Sequence, residues 1–315
     1  MLKRKIGFLI IISVILTLLF VFVGVNANNW QYFLSRRGPK VVAIVLTGAS
    51  ISFSSLIFQT VTNNRILTPS ALGLDSLYVF IQTAVVFIIG SSNPFIVNKN
   101  INFILTVILM VIFSGILYKT LFTKEKSNIM ILLLIGMVFG TLFQSLSSFM
   151  QMMIDPNEFL HIQDKMFASF NNVNTNILWI SSILIILIGI YSLRFLKTLD
   201  VISLGREQAI NLGVDYDWTI KRLLLIVSVL VSISTALVGP ITFLGLLVVN
   251  LAREFTSRFE HKFLIVTSVL LSIIALVGGQ LVVERLFNFG TPISVIINFI
   301  GGIYFVNLLL KENVA

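Results

Sequence analysis

Apolar runs of about twenty residues recur along the chain, separated by short polar intervals, and each is long enough to cross a bilayer core of roughly 30 Å as a helix. Ten candidate spans follow from this rhythm: 6–26, 41–59, 71–91, 102–121, 129–149, 176–194, 222–239, 243–252, 263–283 and 292–310. The eighth is too short to cross alone, and Gly239-Pro240 ahead of it breaks any continuous helix. Segment 239–252 is therefore expected as a bent, partly re-entrant piece, a backbone that membranes accept only where protein or a watery cavity covers it. No stretch alternates polar and apolar positions as barrel strands do. The pattern predicts an all-α polytopic membrane protein, residues 1–315 forming a single transmembrane domain of about ten helices.

Composition narrows this picture. The chain is 57% hydrophobic and 11% charged over 315 residues, outside the range of soluble domains of that size. It has no cysteine, which removes disulfides, thiolate metal sites and cysteine lipidation. His161 and His261 lie far apart, neither in an HExxH pattern, so no metal site is expected; metal binding by His161 with Asp155, Glu158 or Asp164 has no ligand spacing behind it. The net charge of +9 comes from loop lysines and arginines without interleaved aromatic residues, which argues against a nucleic-acid partner. At the N-terminus Lys3-Arg4-Lys5 precedes an apolar stretch to Val25. A signal peptide cleaved at Val25-Asn26-Ala27 is the alternative reading, but the run is long for one and a retained first helix is expected.

Charge then orients the spans. With both termini on the cytoplasmic side, sixteen of the twenty-two lysines and arginines fall inside, among them Lys3, Arg65, Lys119, Lys124, Lys126, Arg194, Arg222 and Lys311. Six remain outside: Arg36, Arg37, Lys40, Lys99, Lys165 and Arg285. Arg36, Arg37 and Lys40 crowd the start of span two, and Arg285 stands beside Glu284 at the outer end of span nine. They read either as interfacial cations snorkelling to water or as a docking surface for an acidic extracellular partner.

Two polar interruptions carry further information. Segment 150–175, outside, holds a methionine cluster, an Asp155-Pro156 helix start and a short amphipathic stretch expected to lie over a pore mouth. Segment 197–222, inside, is densely charged and contains Leu204-Gly205 and Leu212-Gly213 with Ala209 between them. It predicts a short amphipathic helix between two glycine turns, Gly213 suiting a left-handed helix end.

Several stretches, taken together and in order, resemble the permease family of ABC importers for iron–siderophores, haem and cobalamin (the FecCD/BtuC type). Arg37-Gly38-Pro39-Lys40 is similar to that family's Arg-Leu-Pro-Arg, with glycine and lysine substituted. Gly48 through Gln59, then Asn63-Asn64-Arg65-Ile66-Leu67-Thr68-Pro69-Ser70-Ala71-Leu72-Gly73, resembles its glycine-to-glutamine helix and Asn-Pro-Leu-Ala-x-Pro-x-x-Leu-Gly, with Arg65 in place of proline. Leu204, Gly205, Ala209, Leu212 and Gly213 match its Leu-Gly-x-x-x-Ala-x-x-Leu-Gly, and Gly239 to Leu246 resembles Gly-x-Ile-x-Phe-Val-Gly-Leu. Where the family continues with Pro-His and arginine, this chain has Val249-Asn250 and Arg253. Glu284-Arg285, Thr291-Pro292-Ile293 and Gly301-Gly302 follow its C-terminal pattern loosely.

The resemblance implies a BtuC-like (type II) importer permease in a bacterial cytoplasmic membrane. Two permeases, identical or homologous, would pair in the lipid, ATPase subunits would dock below and an extracytoplasmic substrate-binding protein above. It implies ATPase coupling through Leu204, Gly205, Arg206, Glu207, Ala209, Leu212 and Gly213, and binding-protein docking through Arg36, Arg37, Lys40 and Arg285. The chain has no phosphate-cradling GxxxxGK[ST] loop, so it binds no cofactor and ATP belongs to the partner. A wide pathway suits amide and hydroxyl side chains, and Gln59, Asn63, Asn64, Gln144, Ser145, Ser147 and Ser148 are candidates, with helix packing the competing role; Gly136-x-x-x-Gly140 reads as a packing contact. A ferric siderophore is the expected cargo, with haem or cobalamin as alternatives. An ion-driven secondary transporter would need a midplane carboxylate, for which Asp75 is the main candidate. A membrane enzyme would need an acid–base or metal constellation, which the spans lack.

Overall fold

The computed structural model describes residues 2–24, 30–90, 98–121, 129–171 and 173–312. The alternative cleavage site at Val25-Asn26-Ala27, and the loop cations Lys124 and Lys126, lie outside the described residues. Thirteen α-helices are described: α1 Leu2–Phe22, α2 Trp30–Val61, α3 Leu74–Ile89, α4 Lys99–Leu121, α5 Ile129–Met153, α6 Pro156–Met166, α7 Thr175–Leu193, α8 Leu196–Ile202, α9 Arg206–Asn211, α10 Tyr216–Val238, α11 Leu244–Thr256, α12 His261–Arg285 and α13 Ile293–Glu312.

Eight of these are long and apolar enough to span a membrane, and α3 is a shorter apolar helix of 16 residues. The expected ten-span pattern thus resolves into eight full spans and two short ones, α3 and α11. Span three begins later than its apolar run because Pro69–Leu72 forms a 3-10 turn that Gly73, in the left-handed region at φ 76°, separates from α3. Span eight behaves as Gly239-Pro240 predicts: α10 stops at Val238, Gly239 takes φ 99°, and a new helix starts only at Leu244. That helix runs on to Thr256, past the expected end at 252.

Helices α2 and α10 form the hub. In each, 67% of the span residues are buried, against 17% in α1 and 22% in α13, which lie at the periphery. One apolar core joins α2 to α3, α4, α5 and α10; a second joins the other face of α2 to α1, α11, α12 and α13. Small and hydroxyl residues let the backbones approach, as they do in membrane bundles. A Cβ at Gly48 would stand 2.7 Å from Ser272 Oγ of α12, and one at Gly245 would collide with Ser55 of α2. The Gly136/Gly140 pair packs differently from a helix–helix contact. It seats the 3-10 turn, since a Cβ at Gly136 would lie 2.8 Å from Leu72 Cα and one at Gly140 3.1 Å from Gly73 Cα.

Candidate functional site

The segment between α7 and α10 is built as a short rigid bracket. Helix α8, which the charge pattern of 197–222 does not reveal, is followed by a turn at Ser203–Gly205 and then by α9. Gly205 (φ 103°) and Gly213 (φ 85°) flank α9, both in the left-handed region that favours glycine. The Val214 amide donates to the Ala209 carbonyl (3.0 Å) and that of Gly213 to Ile210 (2.9 Å), closing the helix end. Asp215 caps α10 by accepting from the Trp218 amide at 3.2 Å, and Arg206 pairs with Asp217 at 3.7 Å. Ala209 is fully buried, whereas Leu204, Ile210 and Leu212 are 58%, 49% and 62% exposed. Three apolar side chains held out from a charged turn form a surface that gains by being covered.

This bracket is bolted to the spans by one polar chain. Asp200 of α8 accepts hydrogen bonds from the backbone amide of His261 (2.8 Å) and from its Nδ1 (2.6 Å). His261 Nε2 lies 2.8 Å from Thr60 Oγ1 near the end of α2. Beside it, Arg253 Nη2 donates to Gln59 Oε1 at 3.4 Å. Asn250, where the resemblance expects the histidine pattern, donates from Nδ2 to the Arg65 carbonyl at 2.9 Å and fixes the loop after α2 onto α11.

At the opposite end the basic cluster divides. Arg37 is buried and donates from Nη1 to the carbonyls of Val21 (2.9 Å) and Val23 (2.8 Å), closing the C-terminal end of α1. Lys40 pairs with Glu284 at 3.0 Å, with side chains only 15% and 8% exposed, and also donates to Asn171 Oδ1. Arg285 donates to Val23 O at 2.9 Å while staying exposed, as Arg36 does. Arg37 and Lys40 therefore clamp α1, α2 and α12 together, and the outward basic surface is made by Arg36 and Arg285. Above the bundle, Asp155 caps α6 by accepting from Asn157 N at 2.8 Å, as the Asp-Pro pair predicts. His161 is exposed on α6, and no group of three or more His, Asp or Glu among the described residues is placed to hold a metal.

The polar span residues also divide. Gln59 is buried against Arg253. Asn63 takes φ 47° just after α2, and Asn64 Oδ1 accepts from Ile66 N at 2.9 Å, both shaping the turn. Ser147 is buried and donates to the Phe143 carbonyl at 2.7 Å. Gln144, Ser145 and Ser148 lie with Thr141 on an exposed face of α5, at spacings of three and four. Asp75 is half-buried and accepts from Thr242 Oγ1 at 3.0 Å, tying the start of α3 to the break between α10 and α11.

The sequence model of the FecCD transport family matches residues 5–311. The chain belongs to the FecCD transport family. Among FecCD relatives, the petrobactin import system permease protein YclO of Bacillus subtilis (strain 168) is 62% identical over 311 residues, covering 99% of this chain and 98% of that protein. FatC of Bacillus anthracis, also a petrobactin import system permease protein, is 34% identical, covering 92% and 82%. The hemin transport system permease protein HmuU of Yersinia pestis is 25% identical, covering 98% and 96%. A solved structure assigned as the inward-facing conformation of a metal-chelate type ABC transporter superposes with a TM-score of 0.82 at 22% identity, covering 99% of this chain and all of that one. FecCD membership makes the chain a transport subunit and sets aside the secondary-transporter reading of Asp75.

Proposed function

We propose that this chain is the permease subunit of an ABC importer that carries a ferric siderophore across the bacterial cytoplasmic membrane, with ferric petrobactin as the cargo. The observation that carries the reading is the 62% identity, end to end, with a petrobactin import permease. Iron enters as part of the cargo, so the protein needs no resident metal ligands.

The geometry supplies the working parts. The turn from Leu204 to Gly213 faces the cytoplasm with both termini and meets the ATPase subunit, its exposed Leu204, Ile210 and Leu212 giving the apolar contact and Arg206 and Glu207 the polar rim. ATP-driven closure of the ATPase pair displaces this bracket, and the link from Asp200 through His261 to Thr60 carries the displacement to α12 and α2. A binding protein docks outside on Arg36 and Arg285, held in place by the Arg37 and Lys40 clamps. The α5 face bearing Gln144, Ser145 and Ser148 turns to the pathway or to a second permease, because exposed amides and hydroxyls are poorly placed against lipid.

The test is complementation. In cells lacking their own siderophore permeases, the chain with its ATPase and binding protein should restore radiolabelled iron uptake from ferric petrobactin and not from haem. Haem uptake without petrobactin uptake would overturn the cargo assignment.

A further inference from the structure

Where α7 and α10 reach the side that carries α8 and α9, two arginines lie flat on aromatic rings. Arg194 Cζ stands 3.5 Å from the Tyr191 ring centroid and 5.0 Å from that of Phe195. Arg222 Cζ stands 3.6 Å from the Trp218 centroid and donates from Nη1 to Tyr191 Oη at 3.2 Å. The rings themselves form a row, Tyr191 to Phe195 at 5.8 Å and Phe195 to Trp218 at 6.4 Å.

Among the described residues neither guanidinium has a carboxylate at ion-pair distance. The nearby acids are engaged elsewhere: Asp200 with His261, Asp215 with the Trp218 amide, and Asp217 with Arg206. A guanidinium stacked by its face keeps in-plane N–H donors for a bidentate oxyanion, the geometry that suits a phosphate. Trp218 and Tyr191 are 46% and 39% exposed. Directly along the same helices the surface turns apolar, through Leu187 and Ile190 on α7 and Leu225 on α10, each at least half exposed. Amphipathic aromatic rings at the end of such a face mark the headgroup level of a bilayer.

We propose that Arg194 and Arg222, held by Tyr191 and Trp218, form a binding site for the phosphate of an anionic glycerophospholipid whose acyl chains lie along α7 and α10. Charge complementarity and continuity with the apolar face fit a lipid better than a protein surface, which would reach instead for the projecting turn at Leu204–Leu212. The site is independent of the cargo.

The experiment uses the assembled permease–ATPase complex and native mass spectrometry after exchange into phosphatidylglycerol, cardiolipin or phosphatidylcholine. Wild type should retain the anionic lipids over phosphatidylcholine, and R194Q/R222Q should lose about tenfold of that preference. R258Q/K262Q, which removes two cations already paired with Glu260, should keep it. Equal loss in both variants, or no loss in the first, overturns the site. So does loss of the ATPase subunit from R194Q/R222Q with lipid preference unchanged, which would make this an acidic-protein contact. Should R194Q/R222Q fail to assemble, hydrogen exchange on wild type decides: amides around 191–195 and 216–222 should be slowed in phosphatidylglycerol nanodiscs and not in phosphatidylcholine ones, and equal rates overturn the proposal.

Discussion

Asp200 Oδ1 lies 2.6 Å from His261 Nδ1 and also accepts the His261 backbone amide at 2.8 Å. One carboxylate thereby holds both the first turn of α12 and the ring of its first residue. Because the other ring nitrogen meets Thr60, the contact joins three helices distant in sequence.

Asp200→Ala should leave a buried imidazole nitrogen and a helix-start amide without acceptors, a cost of about 1–3 kcal/mol. Asp200→Asn keeps an Oδ1 that can accept both but loses the negative charge that strengthens them, and should fall between. Thermal melting of the purified permease checks the order. Uptake should fall further than stability does if the bracket meets the ATPase as proposed, because the same contact ties that bracket to α2.

The Lys40–Glu284 pair should behave as a structural clamp. Lys40→Met strands a nearly buried carboxylate and should destabilise by about 3–5 kcal/mol, while Lys40→Met with Glu284→Gln should recover much of the loss. A double-mutant cycle in detergent measures this. Arg36→Glu, by contrast, should leave the melting temperature near wild type and weaken binding-protein affinity, read by titration.

Glycines make a built-in comparison. Gly136→Ala forces a Cβ to 2.8 Å from the Leu72 backbone and should cost about 1–3 kcal/mol, whereas Gly189→Ala in α7 meets nothing within 4 Å and should be neutral or slightly stabilising. Equal effects at the two positions would show that the turn is not seated on α5.

Apolar periodicity made the spans legible because lipid penalises any unpaired backbone, so composition and topology are tightly linked. Gly205, Ala209 and Gly213 were legible for a similar reason, since glycines in a charged loop announce its turns. The short helix α8 was not, because Leu196–Ile202 is too short for a periodic signal. Nor did the sequence separate Arg37 and Lys40, turned inward, from Arg36 and Arg285, turned outward. All four are cations at span ends, and only the positions of Val21, Val23 and Glu284 distinguish clamp from surface. Gly136-x-x-x-Gly140 announced close packing but not its partner, because a 3-10 turn and a helix make the same demand for missing side chains.

The turn at Leu204–Gly213 is the proposed point where ATP hydrolysis meets the membrane helices. Its most direct test is radiolabelled ferric-petrobactin uptake by cells whose only such permease is wild type or Gly205→Trp/Gly213→Trp, with membrane levels matched by immunoblot. Tryptophan suits neither φ 103° nor φ 85°, so the double change should distort the turn and abolish uptake while the permease still reaches the membrane. Uptake at the wild-type rate from the same amount of protein would contradict a coupling role for this turn.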